Sequence, residues 1–179
     1  MAKRNIITLP DPLLRRSSAP VERVDDELRT LIDDMLETMY DAPGVGLAAV
    51  QLAIPRRLIV MDVKYRNSDE EGGEVARAPI AMVNPEILTR SEEMRVHEEG
   101  CLSIPEFYAE VERPANITVR YLDREGKQCE MACGDVLATV VQHEVDHLNG
   151  KLFIDYISRL KRDRVIKKFV KAAKGEVVA

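Results

Sequence analysis

The 179-residue sequence predicts one α+β domain spanning residues 1–179, with mostly antiparallel strands wrapped around a central helix. A helix near the N-terminus and another at the C-terminus complete the predicted fold. Three observations support it. Three separate stretches show the apolar spacing of an amphipathic helix, and short apolar runs lie between the first two. The length also suits a single hydrophobic core, with neither a repeat nor a linker in the sequence.

The first helix is predicted in the stretch DDELRTLIDDMLETMYDAPG. Acidic residues occupy its first turn, and Pro43 and Gly44 end it. Its apolar residues recur at helical spacing, and they are Leu28, Leu31, Ile32, Met35, Leu36 and Met39.

Short apolar runs separated by polar, Gly-bearing or Pro-bearing segments predict the strands. These runs are RRLIVMDV, IAMVNPEIL, YAEVERP and NITVRYLD, with GKQCEMACG as a further strand after a turn at residues 125–127. The stretch KYRNSDEEGGEVARAP is polar and contains glycine, so we expect a surface loop without chemistry of its own.

The central helix is predicted from about Gly134 through His147, because Val136, Val140, His143 and His147 share one face. The last helix follows Ser158. Its predicted apolar side is Leu160, Val165, Ile166, Phe169 and Val170.

Composition limits the classes of function. The 26 basic and 31 acidic residues give a net charge of −5, which is unlike a protein built as a whole to bind nucleic acid. The N-terminus lacks the apolar run of a signal peptide, and no stretch has the length of a membrane span. We therefore expect a cytoplasmic protein without a membrane partner, whose three cysteines are reduced.

The stretch QHEVDH, at residues 142–147, gives the clearest indication of a functional site. On a helix, His143 and His147 lie one turn apart on the same face, so both imidazoles can bind one divalent metal ion. Glu144 lies beside them and can handle the protons of a water molecule activated by the metal. The central helix is therefore predicted to be a metal-binding helix.

The third ligand must come from elsewhere in the chain. Zinc peptidases with an extended form of this motif carry a third histidine where this sequence has Phe153. A downstream glutamate is no better, because only Glu176, near the C-terminus, follows Glu144. The upstream candidates are Cys101, whose thiolate would be a strong ligand, and His97. Cys129 and Cys133 are interpreted as small apolar core residues.

Three motifs together resemble those of the peptide deformylases. They are GVGLAAVQ at residues 44–51, EGCLS at 99–103 and QHEVDH at 142–147, and they occur in the order typical of that family. The resemblance extends from about Ile6 through the last helix. It implies removal of the formyl group from the N-terminal methionine of new bacterial or organellar proteins, with release of formate.

The resemblance also implies a role for each matching residue. Cys101, His143 and His147 would bind one divalent metal ion, Fe²⁺ in vivo with Zn²⁺, Ni²⁺ or Co²⁺ as substitutes, and Glu144 would be the general acid and base. The oxyanion of the intermediate would be stabilised by the Gln51 side chain and the Leu102 N–H. The residues alone favour reading Gln51 as a polar residue that ends an apolar run, and the match to GVGLAAVQ reverses this preference.

The substrate, an N-formylmethionyl peptide, would contact two of the motifs and one face of the central helix. The implied motif residues are Gly44, Val45, Gly46, Glu99 and Gly100. Helical spacing predicts that Val136, Thr139 and Val140 form an apolar wall beside the metal, although Val136 also fits an ordinary core position.

The sequence leaves two features open, Asp146 and the basic last helix, and two rival functions. Asp146 either orients a metal ligand or forms a surface or structural ion pair. The last helix carries eight basic residues (Arg159, Lys161, Arg162, Arg164, Lys167, Lys168, Lys171 and Lys174) and one acid, Asp163. It is either a solvated face or a surface that docks on the ribosome. The rival functions are a zinc metallopeptidase and a binding-only relative that has lost catalysis.

Overall fold

The computed structural model describes residues 2–65 and 76–175. Residues 66–75, which make up most of the predicted loop at 64–79, lie outside this part of the chain. The helices are α1 (Asp26–Asp41), α2 (Asp135–Leu148) and α3 (Arg159–Ala173). The strands are β1 (Gly46–Ala48), β2 (Leu58–Met61), β3 (Ile80–Arg90), β4 (Met94–Cys101), β5 (Ile104–Pro114), β6 (Asn116–Leu122) and β7 (Gln128–Gly134). The predicted α+β class is confirmed.

Helix α1 forms where the sequence predicts it. The Asp25 side chain accepts a hydrogen bond from the N–H of Leu28 and so caps the helix. Two acidic residues in the first turn interact favourably with the positive end of the helix dipole. Its buried apolar face includes Leu28, Ile32, Met35 and Met39, which pack in one cluster with residues of β1 and β2.

Two antiparallel sheets form the β part of the fold. The larger has the strand order β1-β2-β3-β6-β7, which leaves β1 at its edge, and the smaller pairs β4 with β5. Strand β4 was not predicted as a separate element, because its sequence MRVHEEGC is largely polar and carries only a weak apolar pattern. Gly100 pairs with Tyr108 but Cys101 pairs with Ile104, so residues 105–107 bulge outward beside Cys101.

Helix α2 differs from its predicted bounds by one residue at each end. Ala138, Val141, Val145 and Leu148 are buried in one cluster with residues of the five-stranded sheet. The helix also contacts β5 of the smaller sheet, so it touches both sheets. This packing brings the residues of α2 close to the end of β4.

Helix α3 begins after Ser158, whose side chain accepts a hydrogen bond from the N–H of Lys161. It packs on the rest of the fold through Val165, Ile166 and Phe169. The prediction that Leu160 belongs to the apolar side is wrong, because Leu160 is 65% exposed. At about 100° per residue, Leu160 lies on the opposite side of the helix from Phe169. No helix in the described ranges combines the length and the apolar character needed to cross a membrane.

Candidate active site

Cys101, His143 and His147 meet at one point, although they come from two elements. Cys101 ends β4, and the histidines lie one turn apart on α2. One ligand atom from each lies within 4.8 Å of the others, and the Cys101 Sγ is 3.4 Å from the His147 Nε2. Within residues 2–65 and 76–175, this is the sole group of three or more His, Cys, Asp or Glu side chains that could hold a metal ion. Of the two upstream candidates, Cys101 belongs to this cluster and His97 does not.

The chemistry of the three residues fits a divalent metal ion. One sulfur and two imidazole nitrogens suit a borderline cation, and three protein ligands are one fewer than a closed tetrahedral site requires. Burial lowers the pKa of His147 well below its usual value, so the ring is neutral and offers a lone pair. Its Nδ1 is buried without a hydrogen-bond partner among the described residues.

His143 is supported by a buried ion pair. Its Nδ1 lies 2.8 Å from the Glu99 Oε1, and Arg113 donates two hydrogen bonds to the same carboxylate, at 2.7 and 2.9 Å. Burial raises the pKa of Glu99, but the hydrogen bonds from His143 and Arg113 outweigh it and bring the pKa to about 2. The ionised Glu99 therefore fixes the ring orientation of His143.

Asp146 forms an ion pair with Arg113. The Arg113 Nη1 donates to the Asp146 Oδ2 at 2.8 Å, and the Tyr156 hydroxyl donates to the same oxygen at 2.7 Å. Sequence reasoning did not identify Arg113 or Tyr156. The only signal was a charged residue on the inward side of β5, between the buried Val111 and Ala115.

Glu144 lies beside the cluster of Cys101, His143 and His147 but is not part of it. Its Oε1 is 4.0 Å from the His143 Nε2, and its Oε2 is buried without a described hydrogen-bond partner. Burial raises the pKa of Glu144 to about 7. A carboxylate with such a pKa can both accept and return a proton near neutral pH.

Gln51 is held in a defined orientation at the other side of Cys101. Its Oε1 accepts a hydrogen bond from the Ala48 N–H at 2.9 Å, and its Nε2 donates to the Ser103 Oγ at 2.9 Å. The same Nε2 lies 3.6 Å from the Cys101 Sγ. Sequence analysis identified Gln51 but missed the fully buried Ser103, since a serine in a strand turn carries no distinct signal.

A cleft of about 580 Å³ leads to these residues. Its walls are the segment before and within β1, the end of β4, the bulge at 105–107 and the first turns of α2. Every predicted substrate-binding residue lines it: Gly44, Val45, Gly46, Glu99, Gly100, Val136, Thr139 and Val140. Leu102 also lines it, and Val136 is 37% exposed at this wall, which excludes a simple core role for that residue.

Phe153 occupies the sequence position where the extended peptidase motif has a histidine. It is buried, and its ring stacks on His143 and on Phe107, with centroid distances of 5.9 Å in both cases. An apolar side chain thus packs against His143 here. The extended peptidase motif would need a histidine at this position, and phenylalanine has no atom that can bind a metal ion.

Comparisons with known proteins agree with these observations. The model of the polypeptide deformylase family matches residues 3–163. The peptide deformylase of Rhizobium meliloti (strain 1021) is 59% identical over 174 residues, which cover 97% of this chain and 96% of the relative. That of Agrobacterium fabrum is 56% identical over 177 residues, covering 99% and 100%.

Solved structures give the same result. The crystal structure of an Ehrlichia chaffeensis peptide deformylase in complex with actinonin aligns with a TM-score of 0.87 and 43% identity, covering 97% of this chain and 98% of that one. A peptide deformylase from Legionella pneumophila aligns with a TM-score of 0.84 and 44% identity, covering 99% of both chains.

Proposed function

The chain belongs to the peptide deformylase family, and from that premise we propose that it hydrolyses the N-terminal formamide of formyl-methionyl nascent polypeptides and releases formate. The observation that carries this proposal is the meeting of Cys101, His143 and His147 beside the buried Glu144, with Cys101, His143 and Glu144 lining a cleft. The zinc metallopeptidase alternative is not favoured, because Phe153 stands at the position of the third histidine. A binding-only relative should have lost a ligand or the base, and this chain has all four residues.

We assign Cys101, His143 and His147 as the ligands of a single divalent ion, and we propose Fe²⁺ in vivo with Zn²⁺, Ni²⁺ or Co²⁺ as substitutes. The ion, when bound, supplies Lewis-acid chemistry by polarising a carbonyl group and lowering the pKa of water to about 7. Glu99 keeps His143 oriented for this role through the bond to its Nδ1.

Glu144 is proposed as the general acid and base. Its carboxylate accepts the proton of the attacking water molecule and returns it to the departing amine, which leaves as the new N-terminus. The pKa of about 7 supports this exchange at neutral pH. Its Oε2 is buried and has no hydrogen-bond partner among the described residues, so no described polar group competes for the proton.

Gln51 and Leu102 are proposed to stabilise the charge on the formyl oxygen. The Gln51 amide is already oriented by Ala48 and Ser103, so its N–H groups need little reorganisation as the charge develops. The Leu102 backbone N–H would be the second donor, because Leu102 follows Cys101 directly and lines the same cleft.

We propose that the peptide pairs with the edge of β1 as an added strand. β1 lies at the end of the five-stranded sheet, and Gly44, Val45 and Gly46 line the cleft. Backbone pairing of this kind tolerates different residues after the first. The methionine side chain would lie against the apolar wall formed by Val136, Thr139 and Val140.

One experiment tests this function. Purified protein loaded with metal should release formate from a formyl-methionyl peptide and leave its internal peptide bonds intact. Cys101→Ala should lose tight metal binding and formate release together, while Cys129→Ala and Cys133→Ala should keep both. Internal cleavage of the peptide, or equal metal content in all three variants, would contradict the proposal.

A separate proposal concerns α3 and the ribosome. All eight basic residues of this region are exposed or half-buried, whereas the acidic Asp163 lies near Arg159 and Arg162. Such a face suits ribosomal RNA near the exit of the nascent chain, and its binding should weaken steeply with salt. Co-sedimentation with ribosomes should be lost after truncation at Tyr156. Unchanged co-sedimentation of the truncated chain would refute this role.

A further inference from the structure

Tyr156 lies outside the cleft but is connected to a proposed metal ligand through side chains. We propose that Tyr156 is a positioning residue for His143, acting through Asp146, Arg113 and Glu99. This inference rests on the metal site assigned under the proposed function. It adds a residue from the turn Phe153–Tyr156, immediately before α3, to the machinery that holds the metal ligands.

The connection is continuous at hydrogen-bond distance. The Tyr156 hydroxyl donates to the Asp146 Oδ2 at 2.7 Å, and the same oxygen accepts from Arg113 at 2.8 Å. Arg113 donates to Glu99 through its other two nitrogens, Nε and Nη2, at 2.7 and 2.9 Å. The Glu99 carboxylate then meets the His143 Nδ1 at 2.8 Å.

Arg113 links the Tyr156 hydroxyl to Glu99, because it forms ion pairs with both Asp146 and Glu99. Its side chain is 4% exposed, and it is shared by two carboxylates, Glu99 on one side and Asp146 on the other. Asp146 is the more accessible carboxylate, at 16% exposed, so it can turn toward water if it is not held. The Tyr156 hydroxyl holds it, and the Tyr156 ring lies 4.5 Å from the guanidinium carbon of Arg113.

The turn that carries Tyr156 is itself well anchored. Phe153 is buried against the ring of His143, and Asp155 forms two hydrogen bonds with Arg15, at 2.6 and 3.0 Å. The position of Tyr156 is therefore fixed independently of its own hydroxyl. The Tyr156 side chain adds little to the core, because the residue is 45% exposed. Loss of the hydroxyl alone should thus leave the fold intact while freeing Asp146.

Tyr156→Phe is the direct test, because it keeps the ring over Arg113 and removes only the hydroxyl. The protein is loaded with Co²⁺, and the rate of Co²⁺ loss to a chromogenic chelator is measured together with the visible absorption spectrum. We expect loss to be roughly 3- to 10-fold faster, at or below the effect of removing a group bonded directly to a ligand. The spectrum should shift, and kcat should fall while KM stays within about two-fold.

Tyr40→Phe is the matched control. It also removes a tyrosine hydroxyl that donates to an aspartate, here Asp62 at 2.6 Å, at the end of β2. It should leave the rate of Co²⁺ loss and the spectrum unchanged. Equal effects of the two variants, or no effect of Tyr156→Phe, would overturn the proposal.

A double-mutant cycle tests the route. If Tyr156 acts through Asp146, Tyr156→Phe should add little to the faster Co²⁺ loss already caused by Asp146→Asn. If the two substitutions instead multiply their separate effects on the rate of Co²⁺ loss, the route through Asp146 is overturned. Because Co²⁺ loss is measured without substrate, a wild-type protein that binds Co²⁺ but releases no formate would contradict the proposed function alone.

Discussion

Gly46 lies so close to Glu144, the proposed base, that there is little room for a side chain at position 46. A Cβ added to Gly46 would come within 2.7 Å of the Glu144 Oε1 and 3.0 Å of the Val140 Cγ1. Neither neighbour is free to move far, because both belong to the buried part of α2. The need for glycine at this position therefore comes from a close approach and not from backbone conformation.

Glu144→Ala should retain stoichiometric metal and a folded core but lose about 10²-fold or more in kcat, because proton transfer is no longer assisted. KM should change little if the cleft holds the substrate. Metal analysis and steady-state kinetics measure both quantities. Activity within a few-fold of wild type, or loss of metal together with activity, would make Glu144 a structural residue.

Gly46→Ala should displace the Glu144 carboxylate and lower kcat by more than about tenfold, because a shift of roughly 1 Å in a catalytic group can cost 10²-fold. Metal content should stay near that of wild type, since Gly46 is not a ligand. Steady-state kinetics with metal analysis is the measurement. A variant with normal kcat would show that Glu144 can move without loss of function.

The residues of the site divide by how the sequence encodes them. His143, Glu144 and His147 could be found from spacing along one helix, whereas ligand chemistry left Cys101 and His97 as alternatives. The roles of Gln51 and Leu102 required the motif resemblance. Ser103 lies in the EGCLS motif but was given no role. Arg113 and Tyr156 could not be found, because they reach the site through strand pairing and turn packing that the local sequence does not encode.

At the scale of elements, the N-terminal segment is attached to α1 by Asp34. This carboxylate accepts hydrogen bonds from the Ala2 N–H and from Arg4. Burial raises the pKa of Asp34, but the hydrogen bonds from Ala2 and Arg4 lower it by more than burial raises it. The net shift of the Asp34 pKa is therefore downward. The stabilisation is present above the unfolded pKa of about 3.9 and is lost as pH falls through the lower folded value.

Asp34→Asn should therefore lower the melting temperature by several degrees at pH 7, and the difference from wild type should narrow as the pH falls below about 4. Asp41→Asn is the control, because it removes an exposed ion pair with Lys3 that joins the same two segments. Thermal melts followed by circular dichroism at several pH values provide the measurement. A constant difference across pH would contradict the role of the Asp34 charge.

The strands and helices were predictable to different degrees. Helices α1 and α2 carry apolar periodicity, and the bounds of α1 also follow from the Asp25 cap and from Pro43. Strand β4 has the sequence MRVHEEGC, half of which is polar, and its only buried residue is Glu99. That burial depends on Arg113 of the neighbouring strand, which periodicity alone does not reveal.

At the scale of the whole molecule, stability should differ between α2 and α3. Helix α2 contacts strands of both sheets and buries ten of its residues, whereas α3 buries only Val165 and packs mainly on the turn before it. Segments with few buried apolar contacts open more readily than core segments. The site is thus built on the part of the fold expected to be most rigid.

Hydrogen exchange should reveal this difference. Amides of α3 should exchange through local opening well before those of α2, whose exchange should approach the global unfolding limit. Peptides covering residues 159–173 and 135–148 can be compared by mass spectrometry in one experiment. Equal protection of the two helices would contradict this expectation.

The position of β1 at the edge of the sheet has a consequence for self-association. An edge that is open to a peptide substrate can also pair with a strand from a second copy of the chain. Proteins often protect such edges with charged side chains, but β1 has the uncharged sequence GLA. Its protection comes instead from its length of three residues and from the complete burial of its side chains. Substitutions that widen the cleft would therefore be expected to promote aggregation as well as alter substrate selection.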